Sequence, residues 1–163
     1  LQEVRLPADG PPQAKKGDGQ PRDRGRIKAH TKAEKEDRDF VLGCLAELRG
    51  YRAVWSLADT KYSGSLVLLR ESLGDPVVRT QLPELGSELH HPDGRIVLAS
   101  FATFDLLATY APNNGSTPES FARRGRWDAA LQAFLRTPVN NSEYFPPNFE
   151  GLVLDCIDAD FCK

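Results

Sequence analysis

The stretch Gly94-Arg95-Ile96-Val97-Leu98-Ala99-Ser100-Phe101-Ala102-Thr103-Phe104-Asp105-Leu106-Leu107-Ala108-Thr109-Tyr110-Ala111-Pro112-Asn113-Asn114-Gly115 decides the fold. Its two apolar runs, Ile96-Val97-Leu98-Ala99 and Leu106-Leu107-Ala108, flank an Ala102-Thr103 break. Runs so close together, rich in β-branched and aromatic residues, read as adjacent antiparallel strands. Neither run alternates cleanly, which implies strands covered on both faces inside a layered fold. At Tyr110-Ala111-Pro112-Asn113-Asn114-Gly115, Pro stops sheet pairing and Asn-Asn-Gly turns the chain. A core strand thus delivers a phenol and a carboxamide to a loop mouth, the natural place for a site.

Working outward, residues 51–55, 65–69 and 77–82 read as further strands, with 151–157 as a final one. The loop Asp59-Thr60-Lys61-Tyr62-Ser63-Gly64 ends in a tight turn, 87–93 is a polar loop, and 139–150 is an Asn- and Pro-rich loop. Thr31 opens a helix with Glu34 as its capping-box partner. Phe40, Val41, Cys44, Leu45 and Leu48 give it one apolar stripe, and Gly50 ends it. Glu34–Arg38 and Lys35–Asp39 pairs add weak support. Ser116-Thr117-Pro118-Glu119 starts a second helix, striped by Trp127, Ala130, Leu131, Phe134 and Leu135 and stopped at Thr137-Pro138. Strands alternating with amphipathic helices give an α/β layered domain. Trp127 and Asp128 belong to packing and helix support, while His30, His90 and His91 match no motif.

A chain of 163 residues is one domain with room for a core. No apolar run approaches the length of a membrane span, and no signal or transit peptide is visible. The chain has no methionine and begins at Leu1, so it reads as a fragment. Cys44, Cys156 and Cys162 are odd in number and lack metal-ligand spacing, which points to idle thiols in a reducing compartment. The net charge of −2 does not mark a nucleic-acid binder. Residues 5–32 nevertheless hold eight Lys or Arg against three Asp or Glu, so the remaining body is acidic. Within that basic stretch, residues 7–30 are rich in Pro, Gly and charge, offer little to bury, and are expected to form a disordered insertion.

Leu1-Gln2-Glu3, Tyr62-Ser63-Gly64, Gly94-Arg95-Ile96-Val97, Tyr110-Ala111-Pro112-Asn113 and Arg126-Trp127-Asp128 follow one another in a telling order. In that order the chain resembles the exonuclease III type of apurinic/apyrimidinic endonucleases, within the endonuclease/exonuclease/phosphatase superfamily. The resemblance covers residues 1–6 and about 40–136. It implies an α/β fold that is part of a four-layer α/β/β/α sandwich with mixed, largely antiparallel sheets. Residues 1–6 would be the end of a truncated strand, 31–136 the central part of the domain and 137–163 a divergent tail. The activity implied is Mg²⁺-dependent hydrolysis of double-stranded DNA at abasic sites, with Mn²⁺ as a substitute metal. A monomer working without a membrane, in the nucleus or another reducing compartment, completes the expectation.

Carried over residue by residue, the resemblance implies that Glu3 binds the metal. Tyr110 takes the place of the active-site tyrosine and Asn113 that of the asparagine orienting the scissile phosphate, while Tyr62 and Arg95 would hold the DNA backbone. These types suit the chemistry. Phosphodiester hydrolysis builds negative charge on non-bridging oxygens, which a cation and fixed donors stabilise. Mg²⁺ keeps most of its waters and needs only one or two carboxylates.

Departures from the family pattern are specific. Its opening strand with Asn and Asp would precede Leu1, and its last Asp-His motifs would follow Lys163. Where Gly-Asp-x-Asn should stand, the chain has Asp155-Cys156-Ile157-Asp158-Ala159-Asp160, making Asp158 the candidate counterpart of the catalytic aspartate. Lys61 replaces the usual glycine before Tyr62. The chain alone is therefore expected to be nearly inactive. The rival readings are another superfamily phosphodiesterase (RNA, inositol phosphate or lipid headgroup), a non-catalytic nucleic-acid-binding derivative, or a product with no stable fold.

Overall fold

The computed structural model describes residues 1–11, 13, 15, 17, 20–81 and 93–136, and the backbone of 152–155. At its start, the segment expected to be disordered contains a small ribbon. β1 (Ala8–Asp9) pairs antiparallel with β2 (Asp23–Ile27), with Ala8 opposite Ile27. Few as they are, the apolar residues here are well placed: Leu6, Ala8 and Ile27 are all buried against Trp55, Leu57 and Leu66. Burial at these sites and charge pairing described below supply what composition alone does not suggest.

Helix α1 (Lys32–Ala46) begins with the expected capping box. Glu34 N donates to Thr31 Oγ1, and the Glu34 carboxylate accepts from the Thr31 amide. Backbone donors from Thr31, then Lys28 Nζ at 2.9 Å, bring the Glu34 carboxyl down to about 2. Glu34 is thus tied to the ribbon, and Arg38 pairs with Asp39. The helix closes at Ala46, before Gly50. Its stripe is narrower than expected. Val41 and Leu45 pack on the core, whereas Phe40 is 74% exposed and Cys44 and Leu48 also face solvent.

β3 (Tyr51–Ser56) and β4 (Ser65–Arg70) form an antiparallel pair from Tyr51–Arg70 to Ser56–Ser65. A second sheet runs β5 (Val77–Arg79), β6 (Ile96–Ser100), β7 (Asp105–Thr109), β8 (Leu152–Asp155). Its first three strands are antiparallel, as the hairpin reading requires, while β8 is parallel to β7. The near-continuous apolar runs now have their explanation. Ile96, Leu98 and Leu107 face Trp127, Leu131 and Phe134 of helix α2 (Pro118–Arg136). Val97 and Ala99 face Val54 and Leu69 of the other sheet. Each such large apolar side chain contributes roughly 1.5–3 kcal/mol when fully buried. The fold is mixed α/β with largely antiparallel sheets. No described helix is long and apolar enough to cross a membrane.

Candidate active site at the mouth of the central hairpin

Three separate stretches converge beyond the end of β7. Residues 1–5 run beside the start of β4: Leu1 and Leu66 exchange backbone hydrogen bonds, and Gln2 pairs with Ser65. Val4 N donates to Gly64 O at 3.2 Å and Arg5 N to Ser63 O at 3.1 Å. The Tyr62-Ser63-Gly64 turn therefore acts as a clamp for the segment that carries Glu3. The clamp holds an unusual backbone, since Glu3, Arg5 and Ser63 have φ of 51°, 58° and 69°. Left-handed non-glycine residues are uncommon and persist where surrounding contacts fix them.

Glu3 is thereby brought to Tyr110. The phenol Oη donates to Glu3 Oε1 at 2.8 Å, across 107 positions of sequence. Arg5 Nη2 donates to Glu3 Oε2 at 2.8 Å. These two bonds, Arg5's first, hold the Glu3 carboxyl below its ordinary range, so it is ionised at neutral pH. Its side chain remains 34% exposed. Tyr110 is only 6% exposed, so its hydroxyl is fixed rather than free to rotate into solvent.

Arg95 is enclosed by its own chain, at 2% exposure, and braces the site from inside. Nη1 donates to the carbonyls of Tyr110 and Ala111 at 3.1 and 3.2 Å, Nε pairs with Asp93 at 3.2 Å, and the guanidinium lies 4.7 Å from the Tyr110 ring centre. Burying a guanidinium is favourable only with such complete pairing. Gly94 makes the turn possible. Its φ is +60°, and a β-carbon there would come within 2.3 Å of Ser56 O and 2.5 Å of the Leu57 carbonyl carbon. Only glycine fits.

Asn113 lies exposed past Pro112. Its Oδ1 accepts from Gly115 N at 2.8 Å, which leaves the Nδ2 hydrogens as its donors. Arg124 Nη1, from α2, donates to Pro112 O at 3.0 Å and steadies the same loop. Tyr62 is half-exposed and close enough to Arg5 to interact electrostatically. Asp158 lies outside the described residues. The strand before it, β8, places Asp155 in register with Thr109, at the Tyr110 end of β7.

The structure thus joins Glu3, Tyr110 and Arg95 directly and adds Arg5 and Asp93, which sequence reasoning missed. Both have an i, i+2 signature, Glu3-Val4-Arg5 and Asp93-Gly94-Arg95, that could have revealed the pairing. Among the described residues, no group of three or more His, Cys, Asp or Glu is placed to hold a metal. One ionised, part-exposed carboxylate still fits a hard cation that retains its waters. An apolar groove of about 330 Å³ lies between β4 and β7, lined by Leu66, Val67, Leu68 and Ala108 among others; it contains none of these acidic or basic side chains.

No protein-family model matches the chain. It is 39% identical over 139 residues to a DNA-(apurinic or apyrimidinic site) endonuclease of Arabidopsis thaliana, covering 83% of this chain and 36% of that protein. A Plasmodium falciparum protein of the same description is 37% identical over 132 residues, 80% of this chain and 21% of that one. A Plasmodium berghei counterpart is 36% identical over 157 residues, covering 88% and 29%. The chain spans about a third or less of the length of these curated relatives. In fold it resembles the 3′ phosphatase NExo from Neisseria, solved with a product DNA hairpin, at a TM-score of 0.51 and 22% identity over 69% of this chain and 39% of that one. The chain is a partial homologue of the DNA-(apurinic or apyrimidinic site) endonucleases.

Proposed function

We propose that the chain is the phosphate-facing part of a DNA repair endonuclease whose whole protein hydrolyses the phosphodiester 5′ to an abasic site with Mg²⁺. Its layers would form part of a four-layer α/β/β/α sandwich, with residues 31–136 as the central part of that domain. The observation that carries the reading is the Tyr110–Glu3 hydrogen bond, which joins two family motifs far apart in sequence.

In this reading Glu3 holds the cation, with Mn²⁺ able to replace Mg²⁺. A bound divalent ion would supply charge stabilisation for the phosphate oxygens. Tyr110 keeps one carboxylate oxygen oriented and the group ionised. Asn113 offers its Nδ2 hydrogens to the scissile phosphate, which needs donors and no added negative charge. Tyr62 and Arg5 face the DNA backbone from the neighbouring turn. Arg95 acts from inside, holding the Tyr110 backbone. Asp158 would handle the water proton. We assign the protein to the nucleus or another reducing compartment, as a monomer.

Fluorescence anisotropy with abasic and intact duplexes, with and without Mg²⁺, tests the reading. Tighter binding of the abasic duplex, weakened by Asn113→Asp, is expected, with little incision by the chain alone. Equal affinity for both duplexes, unchanged by Asn113→Asp, would sink it. Hydrolysis of an inositol phosphate instead would favour the other superfamily branch.

A further inference from the structure

The ribbon near the start of the chain delivers two guanidiniums to the interior. Arg22 Nε and Arg24 Nη2 both meet Asp59 Oδ1, at 3.1 and 2.7 Å, and all three side chains are at most 5% exposed. The Gly17 amide donates to the other oxygen, Asp59 Oδ2, at 2.9 Å. Arg24 and Leu57 are locked together: Arg24 Nη1 donates to Leu57 O, and Leu57 N donates to Arg24 O at 3.0 Å. Ala8 N donates to Ala58 O at 2.7 Å, so the ribbon grips residues 57–59 from both of its strands.

Two physical routes lead from Arg24 to the site. The first is steric. The Leu57 carbonyl that Arg24 holds lies directly under Gly94, where a β-carbon would come within 2.7 Å of Leu57 O. Gly94 sets the turn into Arg95, which in turn holds the Tyr110 and Ala111 carbonyls. The second is electrostatic. Burial lowers the pKa of Arg24, and attraction to Asp59 and then Asp93 opposes that shift. Asp93 is the same carboxylate that pairs with Arg95 Nε. Loss of the Arg24 charge would remove one of the two guanidiniums that meet Asp59 in a buried setting, where imbalance is costly.

Resting on the reading of Glu3 and Tyr110 above, we propose that Arg24 is a positioning residue for the site: anchored on Asp59, it fixes Leu57 and, through the close approach of Gly94, the Arg95–Tyr110–Glu3 alignment. The ribbon is then a working part of the site and more than a decoration of the fold. A merely structural ribbon would affect melting and leave the Glu3–Tyr110 geometry of the folded protein unchanged.

The test is NMR on the metal-free 163-residue chain at one fixed pH, following the Tyr110 Cζ and Arg95 Nε resonances. Arg24→Gln is expected to shift both. Arg24→Lys, which keeps the charge and loses the fork onto Leu57, is expected to give a smaller shift in the same direction. Arg26→Gln removes one charge from the same strand, but Arg26 pairs outward with Asp9 and its side chain is 74% exposed; it is expected to match the wild type. Folded Arg24→Gln protein with wild-type Arg95 and Tyr110 signals would overturn the proposal, as would an equal shift in Arg26→Gln. If Arg24→Gln does not fold, Arg24→Lys decides, and its failure to shift either signal is the contrary result. Metal binding plays no part in this readout. A chain that fails to bind Mg²⁺ would sink the endonuclease reading and leave this result standing.

Discussion

Replacing Tyr110 by Phe removes a single hydroxyl, the one donating to Glu3 Oε1 at 2.8 Å. A hydrogen bond to a charged acceptor is worth roughly 1.5–3 kcal/mol when the acceptor is sequestered. Glu3 is not: its side chain is 34% exposed and Arg5 still reaches Oε2, so water takes over the vacated oxygen. The cost falls to about 1 kcal/mol, or about 2–4 °C in Tm for a chain of this size. The pH dependence is more diagnostic than the size. The folded-state pKa of Glu3 lies below its ordinary 4.5, so this group's stabilisation is present above the ordinary value and lost as pH falls through the folded one. Wild type and Tyr110→Phe should therefore differ at pH 7 and converge once Glu3 is protonated in both. Thermal denaturation followed by near-UV circular dichroism across that range measures it. A gap that persists unchanged in acid, or is absent at pH 7, would refute the assignment of this bond.

Gly94→Ala should destabilise the chain by about 2 kcal/mol or more, read as a lowered urea midpoint, because the φ of +60° and the Ser56 and Leu57 backbone both exclude a β-carbon. Thr31→Ala removes the capping acceptor for Glu34 N and should cost about 1 kcal/mol by the same measurement. Among the described residues, neither carboxylate oxygen of fully buried Asp105 has a hydrogen-bond partner. Asp105→Asn should thus be neutral or stabilising at pH 7, and a loss of several kcal/mol would reveal a partner for the carboxylate.

Where the sequence could be read, short-range patterns carried the information. The paired apolar runs around Ala102-Thr103 specified β6 and β7, and Thr31 with Glu34 specified the start of α1. The ribbon escaped because its support is long-range: Arg22 and Arg24 meet Asp59, 37 and 35 positions away, and a Pro- and charge-rich composition says nothing of that partner. Phe40 and Leu48 share the helical spacing of Val41 and Leu45, but spacing cannot say how much of a helix face is covered. The surroundings of Arg95 were equally out of reach of a local pattern: only the fold shows Asp93, Tyr110 and Ala111 enclosing it. Glu3 and Tyr110 were each legible as candidates; their contact depends on a clamp formed by Ser63 and Gly64, which no local pattern announces.

Central to the proposal is Glu3 as the cation ligand, held by Tyr110 and Arg5. Paramagnetic broadening by Mn²⁺, followed in assigned NMR spectra of the wild-type chain and Glu3→Gln, tests it most directly. Glu3 and Tyr110 should broaden first, Mg²⁺ should reverse the effect in competition, and Glu3→Gln should abolish it. Broadening that begins elsewhere, or survives Glu3→Gln unchanged, would contradict the assignment.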